Sequence, residues 1–146
     1  MNDAPTRPPV DVLLVEDSRT DVRLIQEAFK LAAAPATLHV VHDGEAALAF
    51  LHRTGEHADA RRPGLILLDW NIPLRDSRDV LREIKADPQL GAIPVCVLSG
   101  SDDADQVRQA YALHANCYLT KPPGLPELID CVDALSRFWL CTAQLP

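Results

Sequence analysis

The amino-acid sequence predicts an α/β fold in which a parallel sheet is covered by helices on both faces. Short apolar runs alternate along the chain with amphipathic stretches of helical period, which is the pattern of parallel strands joined by helices. Four of the apolar runs also end in acidic, hydroxyl or amino side chains. The carboxyl ends of parallel strands lie along one edge of a sheet, so these side chains are expected to converge where open α/β sheets bind ligands.

Residue spacing predicts five strands and five helices in strict alternation. The strands are expected at residues 10–15, 37–42, 65–69, 93–98 and 116–120, and the helices at 19–34, 45–53, 77–86, 102–114 and 125 to about 140. The second strand alternates apolar and polar residues, as an edge strand with one covered face should. Pro35 ends the first helix and Asp87-Pro88 ends the third. Residues 54–64 have no periodicity and are expected to form a surface loop.

Length and charge limit the domain organisation and the class of partner. The 146 residues are expected to form one domain over residues 10–146, with a flexible Pro-rich arm over residues 1–9 and no output domain. The net charge of −7 disfavours nucleic-acid binding, since a duplex is itself densely negative. The sequence has no signal peptide and no membrane-spanning run, which predicts a cytoplasmic protein. The four cysteines lack metal-ligand spacing and are expected to be free thiols, buried or partly buried.

Three carboxylates follow two of the predicted strands. Glu16 and Asp17 end the first strand, and Asp69 ends the third. Mg²⁺ prefers oxygen ligands and typically takes one or two carboxylates together with a phosphate oxygen, so this group predicts a site for Mg²⁺ and phosphate. The alternative is that Asp17 or Ser18 only caps the first helix.

Asp69 is the candidate nucleophile, because a carboxylate can attack phosphorus and carry the phosphoryl group as an aspartyl phosphate. The turn imposed by Pro73 is expected to aim the Asn71 backbone carbonyl at the metal. Ser99, at the end of the fourth strand, offers a hydroxyl to a phosphoryl oxygen. Lys121, after the fifth strand, offers a cation that can pair first with Asp69 and then with phosphate. The alternatives are that Ser99 or Ser101 caps the fourth helix and that Lys121 is an ordinary solvated lysine.

Four segments of the chain carry these residues. They are Leu13-Leu-Val-Glu-Asp-Ser18, Leu67-Leu-Asp-Trp-Asn-Ile-Pro73, Val97-Leu-Ser99 and Tyr118-Leu-Thr-Lys-Pro122. Together and in this order they closely resemble the receiver domain of two-component response regulators, and the resemblance runs from about residue 10 to residue 140. It implies a flavodoxin-like, doubly wound sheet of five parallel strands in the order 2-1-3-4-5 with five helices.

The resemblance implies a phosphoacceptor protein of a phosphorelay rather than an enzyme with a substrate of its own. Asp69 would accept a phosphoryl group from a phosphohistidine on a sensor histidine kinase. The cofactor would be Mg²⁺, held by four groups: Glu16, Asp17, Asp69 and the Asn71 backbone carbonyl. Apart from self-catalysed transfer to Asp69 and slow autodephosphorylation, no catalysis is expected.

The same resemblance assigns roles on the other side of the site. Ser99 and Tyr118 would form a switch pair that reorients on phosphorylation. Lys121 would contact the phosphoryl oxygen. The peptide bond between Lys121 and Pro122 is usually cis in this family, a state that is rare outside bonds to proline.

A narrower resemblance concerns the partner. Residues 21–29, 41–44 and 110–122 and the ending Phe138-Trp-Leu are similar to the stand-alone regulators that partner bacterial phytochromes. A red-light sensor kinase is therefore the expected partner. The chain departs from the family pattern at Asp76-Ser77, where receivers usually have Gly, so a backbone conformation that Gly accepts easily must be made by Ser or avoided.

The last helix carries an apolar residue at every third or fourth position, which is typical of a helix packed on a sheet. This stripe comprises Leu125, Leu128, Ile129, Val132, Leu135 and Phe138. Trp139, Leu140 and Leu145 extend beyond the stripe and are expected to support a homodimer through the last helices and the tail.

Two other functions compete on the same fold. An Asp-nucleophile phosphohydrolase also uses a strand-end Asp, Mg²⁺ and a lysine, but usually presents Asp-x-Asp after the first strand, where this chain has Glu16-Asp17-Ser18. A flavodoxin-like electron carrier needs a phosphate-binding loop rich in Ser, Thr or Gly, and the acids of residues 16–21 would repel an FMN phosphate. Phosphate release from small phosphoesters would identify the hydrolase, and a coloured protein would identify the flavodoxin.

Overall fold

A five-stranded parallel sheet lies at the centre of the chain. The computed structural model describes residues 8–146, so the first seven residues of the predicted arm lie outside the described part. The strands are β1 Val10–Val15, β2 Ala36–Val41, β3 Leu65–Asp69, β4 Val95–Ser99 and β5 Cys117–Thr120. Each strand pairs in parallel with its neighbours in the order β2-β1-β3-β4-β5, which confirms the predicted sheet.

Five helices connect and follow the strands, as predicted. They are α1 Arg19–Leu31, α2 Gly44–His52, α3 Ser77–Ala86, α4 Ala104–Ala112 and α5 Leu125–Leu135, and a short 3-10 turn at Gly55–His57 interrupts the predicted surface loop. The first four helices begin where a side-chain oxygen accepts a hydrogen bond from a free backbone N–H, and these caps are Ser18, Asp43, Asp76 and Asp103. α5 has no such cap and begins with Pro126 in its first turn, where the missing donor costs nothing.

Apolar side chains form a core on each face of the sheet. Successive residues of a strand point to opposite faces. Leu13 and Ile66 therefore pack with residues of α2, α3 and α4, whereas Leu14 and Leu67 pack with residues of α1 and α5. β3 and β4 are buried along their whole length, which explains their continuous apolar sequences and leaves polar side chains only at their ends.

The C-terminal segment differs from the predicted single helix. After α5 the backbone continues as a wider π-helix over Ser136–Thr142. Because π-helical hydrogen bonds join residues five apart, the 3.6-residue spacing of the apolar stripe is lost there. Phe138, assigned to the packed stripe, is 55% exposed, and Leu140, assigned to a dimer contact, is 2% exposed in the chain's own core. Leu145 lies against Gly64 in the same chain, where an added Cβ would be 3.2 Å from its side chain.

The end of α1 and the burial of one cysteine differ from the prediction. α1 ends at Leu31, three residues before the predicted end, and Ala33 adopts a left-handed φ of 52° that turns the chain before Pro35. The cysteines are free, but Cys141 is exposed, which the apolar surroundings did not predict. Among residues 8–146, no helix is both long enough and apolar enough to cross a membrane.

Candidate functional site

Three carboxylates lie together at the carboxyl edge of the sheet. Glu16 and Asp17 follow β1, and Asp69 ends the neighbouring strand β3. One carboxylate oxygen from each residue lies within 4.8 Å of the other two. Glu16 and Asp69 are buried, whereas Asp17 is exposed. Ser18, rather than Asp17, caps α1 by accepting a hydrogen bond from the Asp21 N–H at 3.2 Å, so the Asp17 carboxylate is not used as a cap.

The Lys121 ammonium lies among these carboxylates. Its Nζ donates to Glu16 Oε1, to Asp21 Oδ2 at 2.9 Å and to Asp69 Oδ2 at 3.2 Å. Its backbone N–H donates to the Ser99 carbonyl at 2.6 Å, which fixes the chain beyond β5 beside the end of β4. Burial alone would lower the pKa of Lys121, but the hydrogen bonds to Glu16 and Asp21 outweigh it and raise the pKa above its ordinary value. Lys121 is therefore a charged member of the site and not a solvated lysine.

Asp21 is a site residue that sequence reasoning does not identify. It lies in the first turn of α1, where an acidic residue is already explained by its favourable interaction with the helix dipole. Its contact with Lys121 joins residues 100 positions apart and arises only when α1 packs beside the loop after β5. The sequence around Asp21 contains no signal of that contact.

Burial next to another acid changes the protonation of Glu16. Desolvation and the hydrogen bond with Asp69 raise the pKa of the Glu16 carboxyl, Lys121 opposes them, and the balance raises the pKa from 4.5 to about 8. Glu16 Oε2 also accepts a hydrogen bond from the Ser18 N–H at 3.3 Å. The cluster offers only oxygen ligands, and its three carboxylates outnumber the ammonium. This donor set fits a hard divalent cation such as Mg²⁺.

The loop after β3 folds back onto the Asp69 carboxylate. The Asn71 N–H donates to Asp69 Oδ1 at 3.1 Å, while Asp69 Oδ2 faces Lys121. The two oxygens of this carboxylate therefore have different partners. Asn71 is exposed beside the carboxylates, at the position from which its carbonyl is predicted to reach a metal ion.

Ser99 and Tyr118 both contact Ser101, in the loop between β4 and α4. Ser99 Oγ accepts a hydrogen bond from the Ser101 N–H at 3.1 Å, and the Tyr118 hydroxyl donates to the Ser101 carbonyl at 2.7 Å. Ser99 is fully buried and Tyr118 is half-buried. Asp103 caps α4, so the alternative that Ser99 or Ser101 serves as that cap is wrong.

The Asp76-Ser77 departure from the family pattern requires no left-handed backbone at either residue. Asp76 caps α3 by accepting a hydrogen bond from the Arg78 N–H at 2.8 Å, and Ser77 is the first helical residue. Among the described residues of this loop, the positive φ falls on Leu74, at 68°. The conformation that Gly accepts easily is therefore avoided at Ser77.

The peptide bond between Lys121 and Pro122 is trans, as is every other bond in residues 8–146. The expected cis bond is wrong for this structure. The two forms of a bond to proline differ by only about 0.5–1 kcal/mol, so a sequence motif alone does not determine which one is present. With the trans bond the Lys121 side chain reaches the carboxylates described above.

Comparison with known proteins finds one family and several close relatives. The family described as "Response regulator receiver domain" matches residues 12–133. Response regulator Rcp1 of Synechocystis sp. is 48% identical over 141 residues, which cover 97% of this chain and 96% of Rcp1. The chain thus aligns with Rcp1 over nearly the full length of both.

Two solved structures are similar in fold as well as in sequence. The crystal structure of the Mn²⁺-bound form of Rcp1 has a TM-score of 0.86 and 48% identity, covering 94% of this chain and 99% of that one. The crystal structure of the phosphorylated cyanobacterial phytochrome response regulator RcpA has a TM-score of 0.88 and 48% identity, with the same coverage.

Proposed function

The chain belongs to the response regulator receiver family, and on that premise we propose that Asp69 accepts a phosphoryl group from a phosphohistidine on a sensor histidine kinase. A carboxylate oxygen of Asp69 bonds to phosphorus as the bond between phosphorus and the histidine nitrogen breaks. The observation that carries the proposal is the position of the buried Asp69 carboxylate, close to the Glu16 and Asp17 carboxylates and in contact with the Lys121 ammonium. Phosphoryl transfer depends mainly on positioning and charge stabilisation, and this arrangement supplies both.

Mg²⁺ is the proposed cofactor. Four groups would hold it: the Glu16, Asp17 and Asp69 carboxylates and the Asn71 backbone carbonyl. When bound, the ion supplies positive charge to the phosphoryl oxygens. Glu16 and Asp69 are buried side by side, so their mutual repulsion favours a cation at this place. The Mn²⁺-bound structure of the relative Rcp1 supports a divalent cation in this class of protein.

Lys121 supplies a second positive charge, which moves during the reaction. Before transfer its Nζ is shared between Glu16, Asp21 and Asp69. After transfer a group with a charge near −2 replaces the single charge of Asp69, so the ammonium is drawn to a phosphoryl oxygen. Asp21 holds the lysine within reach of either position.

The proposed output begins with Ser99 and reaches Tyr118 through Ser101. If Ser99 turns its hydroxyl to the phosphoryl group, its acceptance of the Ser101 N–H hydrogen bond is lost. The Ser101 carbonyl also accepts the hydrogen bond from the Tyr118 hydroxyl, so a shift of Ser101 releases or re-orients Tyr118. To change the ratio of switched to unswitched conformation from 1:99 to 99:1, phosphorylation must favour the switched conformation by about 5.5 kcal/mol, which several charge-assisted hydrogen bonds can supply.

A phytochrome-type sensor kinase is the proposed phosphodonor. The sequence similarity to Rcp1 and to the phytochrome response regulator RcpA supports this choice. We also propose a homodimer through the last helix and the tail. Since Leu140 is buried in its own chain, the dimer contact would be made by the exposed Phe138 ring and the neighbouring Trp139. A cytoplasmic location and the absence of nucleic-acid binding stay predictions.

Phosphotransfer to matched variants tests the proposal. A phytochrome-type kinase that has been autophosphorylated with labelled ATP is mixed with wild type, Asp69→Asn and the control Asp79→Asn, which alters an exposed carboxylate on α3. Label should pass to wild type and to the control but not to Asp69→Asn, and chelation of divalent cations should prevent it. Equal labelling of Asp69→Asn would exclude Asp69 as the acceptor. Continuous phosphate release from small phosphoesters would instead favour the hydrolase.

A further inference from the structure

A second serine, outside the proposed switch, contacts the phosphoacceptor residue itself. The Ser77 hydroxyl donates a hydrogen bond of 2.6 Å to the backbone carbonyl of Asp69. Ser77 is 1% exposed, so this contact is shielded from water. It joins the first residue of α3 to the last residue of β3.

The register of the sheet explains why this carbonyl needs a partner. β1 pairs with β3 only as far as Val15 opposite Leu68, so Asp69 lies one residue beyond that ladder. On the other side, the ladder with β4 continues through the Trp70 N–H, which donates to the Leu98 carbonyl at 2.9 Å. The Asp69 carbonyl therefore leaves the regular sheet at a buried position, where polar groups require a hydrogen bond. Ser77 supplies it.

Arg78, which follows Ser77 in α3, contacts Trp70, which follows Asp69. The guanidinium carbon of Arg78 lies 5.0 Å from the centre of the Trp70 ring, a cation–π distance. Trp70 is itself buried. Two consecutive residues of α3, Ser77 and Arg78, thus hold two consecutive residues of the acceptor segment, Asp69 and Trp70.

We propose that Ser77 is a positioning residue for phosphoryl transfer, an inference that rests on the proposed role of Asp69. By fixing the Asp69 carbonyl, Ser77 sets the rotation of the backbone from which the carboxylate projects. That rotation brings Oδ1 to the Asn71 N–H and Oδ2 to Lys121. Transfer needs the attacking oxygen in line with the leaving group, and small displacements of a reacting atom are costly in rate. A glycine at this position has no hydroxyl to make the contact.

The test measures phosphorylation of the full chain by acetyl phosphate with Mg²⁺, resolved on phosphate-affinity gels. Ser77→Ala and Ser77→Gly remove the hydroxyl, Ser77→Thr keeps one, and Ser136→Ala removes a buried serine hydroxyl in the C-terminal π-helix. Ser77→Ala should lower the maximal rate about three- to tenfold, the factor expected from one hydrogen bond, while the half-saturating donor concentration stays unchanged. Ser77→Gly should match it, Ser77→Thr should recover most of the rate, and Ser136→Ala should react like wild type.

Each other outcome overturns the inference. If Ser77→Ala and Ser77→Gly both react at the wild-type rate, the hydroxyl does not position Asp69. If Ser136→Ala slows the reaction as much as Ser77→Ala, the effect is one of general stability. Thermal melting of all four variants is recorded so that rates are compared only among folded proteins. If Ser77→Ala does not fold, Ser77→Gly takes its place as the variant without the hydroxyl. Failure of wild type to be phosphorylated by acetyl phosphate and also by the autophosphorylated kinase would overturn the proposed function, and this inference with it.

Discussion

Removal of the Lys121 charge tests the electrostatic balance of the site. Lys121→Met keeps an unbranched apolar side chain but deletes the ammonium that contacts Glu16, Asp21 and Asp69. Removing one partner of a buried ion pair typically costs about 3–5 kcal/mol. The Lys121 side chain is 18% exposed, and Glu16, with its pKa raised to about 8, is already mostly protonated near pH 7, so the ammonium offsets less negative charge than three ionised carboxylates would carry. We therefore expect the lower end, a loss of about 3 kcal/mol at pH near 7 in metal-free protein.

Mg²⁺ should reverse much of that loss. In wild type the ammonium already interacts with the carboxylates that would bind the ion, so its removal should increase the affinity for Mg²⁺. A ligand at one hundred times its dissociation constant stabilises the folded state by about 2.7 kcal/mol, so the tighter-binding variant gains more at any given concentration. Urea unfolding in EDTA measures the loss of stability in metal-free protein, and urea unfolding at several Mg²⁺ concentrations measures the gain from the ion. Lys30→Met, at an exposed position in the last turn of α1, is the matched control.

Two results would refute this reasoning about Lys121. One is a loss of less than about 1 kcal/mol in EDTA, which would mean that the carboxylates do not depend on the ammonium. The other is a gain from Mg²⁺ no larger than that of wild type, which would place the ion away from the lysine. The Lys30→Met control should change stability by no more than about 0.5 kcal/mol in either condition.

Two further predictions concern Glu16 and the C-terminal helix. The folded-state pKa of Glu16 is raised above 4.5, so its ionisation destabilises the fold, and metal-free wild type should lose stability as the pH rises from 4.5 to about 8. Glu16→Gln should flatten that dependence in urea unfolding, and an unchanged slope would contradict the buried position of this acid. Leu140→Ala should cost about 2–5 kcal/mol and Phe138→Ala less than about 1 kcal/mol, because only the first side chain is buried. The reverse order in thermal or urea unfolding would mean that Phe138, and not Leu140, is packed in the core.

The positions of Glu16, Asp69 and Lys121 are predictable because they follow from strand direction. Each residue comes directly after an apolar run, and parallel strands end at the same edge. No long-range information is needed beyond the inference that the runs form one parallel sheet. The same reasoning does not extend to Asp21, because its partner depends on how closely α1 packs beside the loop after β5.

The end of the chain shows where periodicity stops being informative. The apolar spacing of α5 describes a 3.6-residue helix correctly as far as Leu135. Beyond it, the π-helix turns Phe138 outward and Leu140 inward, and no residue in that segment signals the change of pitch. The contact of Ser77 with Asp69 is not predictable from the sequence either, because only the register between β1 and β3 shows that the Asp69 carbonyl lacks a strand partner.

The contacts of Asp69 divide the proposed switch into a fixed side and a moving side. On the fixed side, Ser77 holds the backbone carbonyl and the Asn71 N–H holds Oδ1, and neither contact involves the oxygen that faces Lys121. On the moving side, the Lys121 backbone N–H donates a hydrogen bond to the Ser99 carbonyl, and the Ser99 hydroxyl accepts one from the Ser101 N–H. A phosphoryl group on Asp69 would therefore change the partners of β4 and β5 while leaving α3 in place. The signal should leave the site through the β4 and β5 edge rather than through α3.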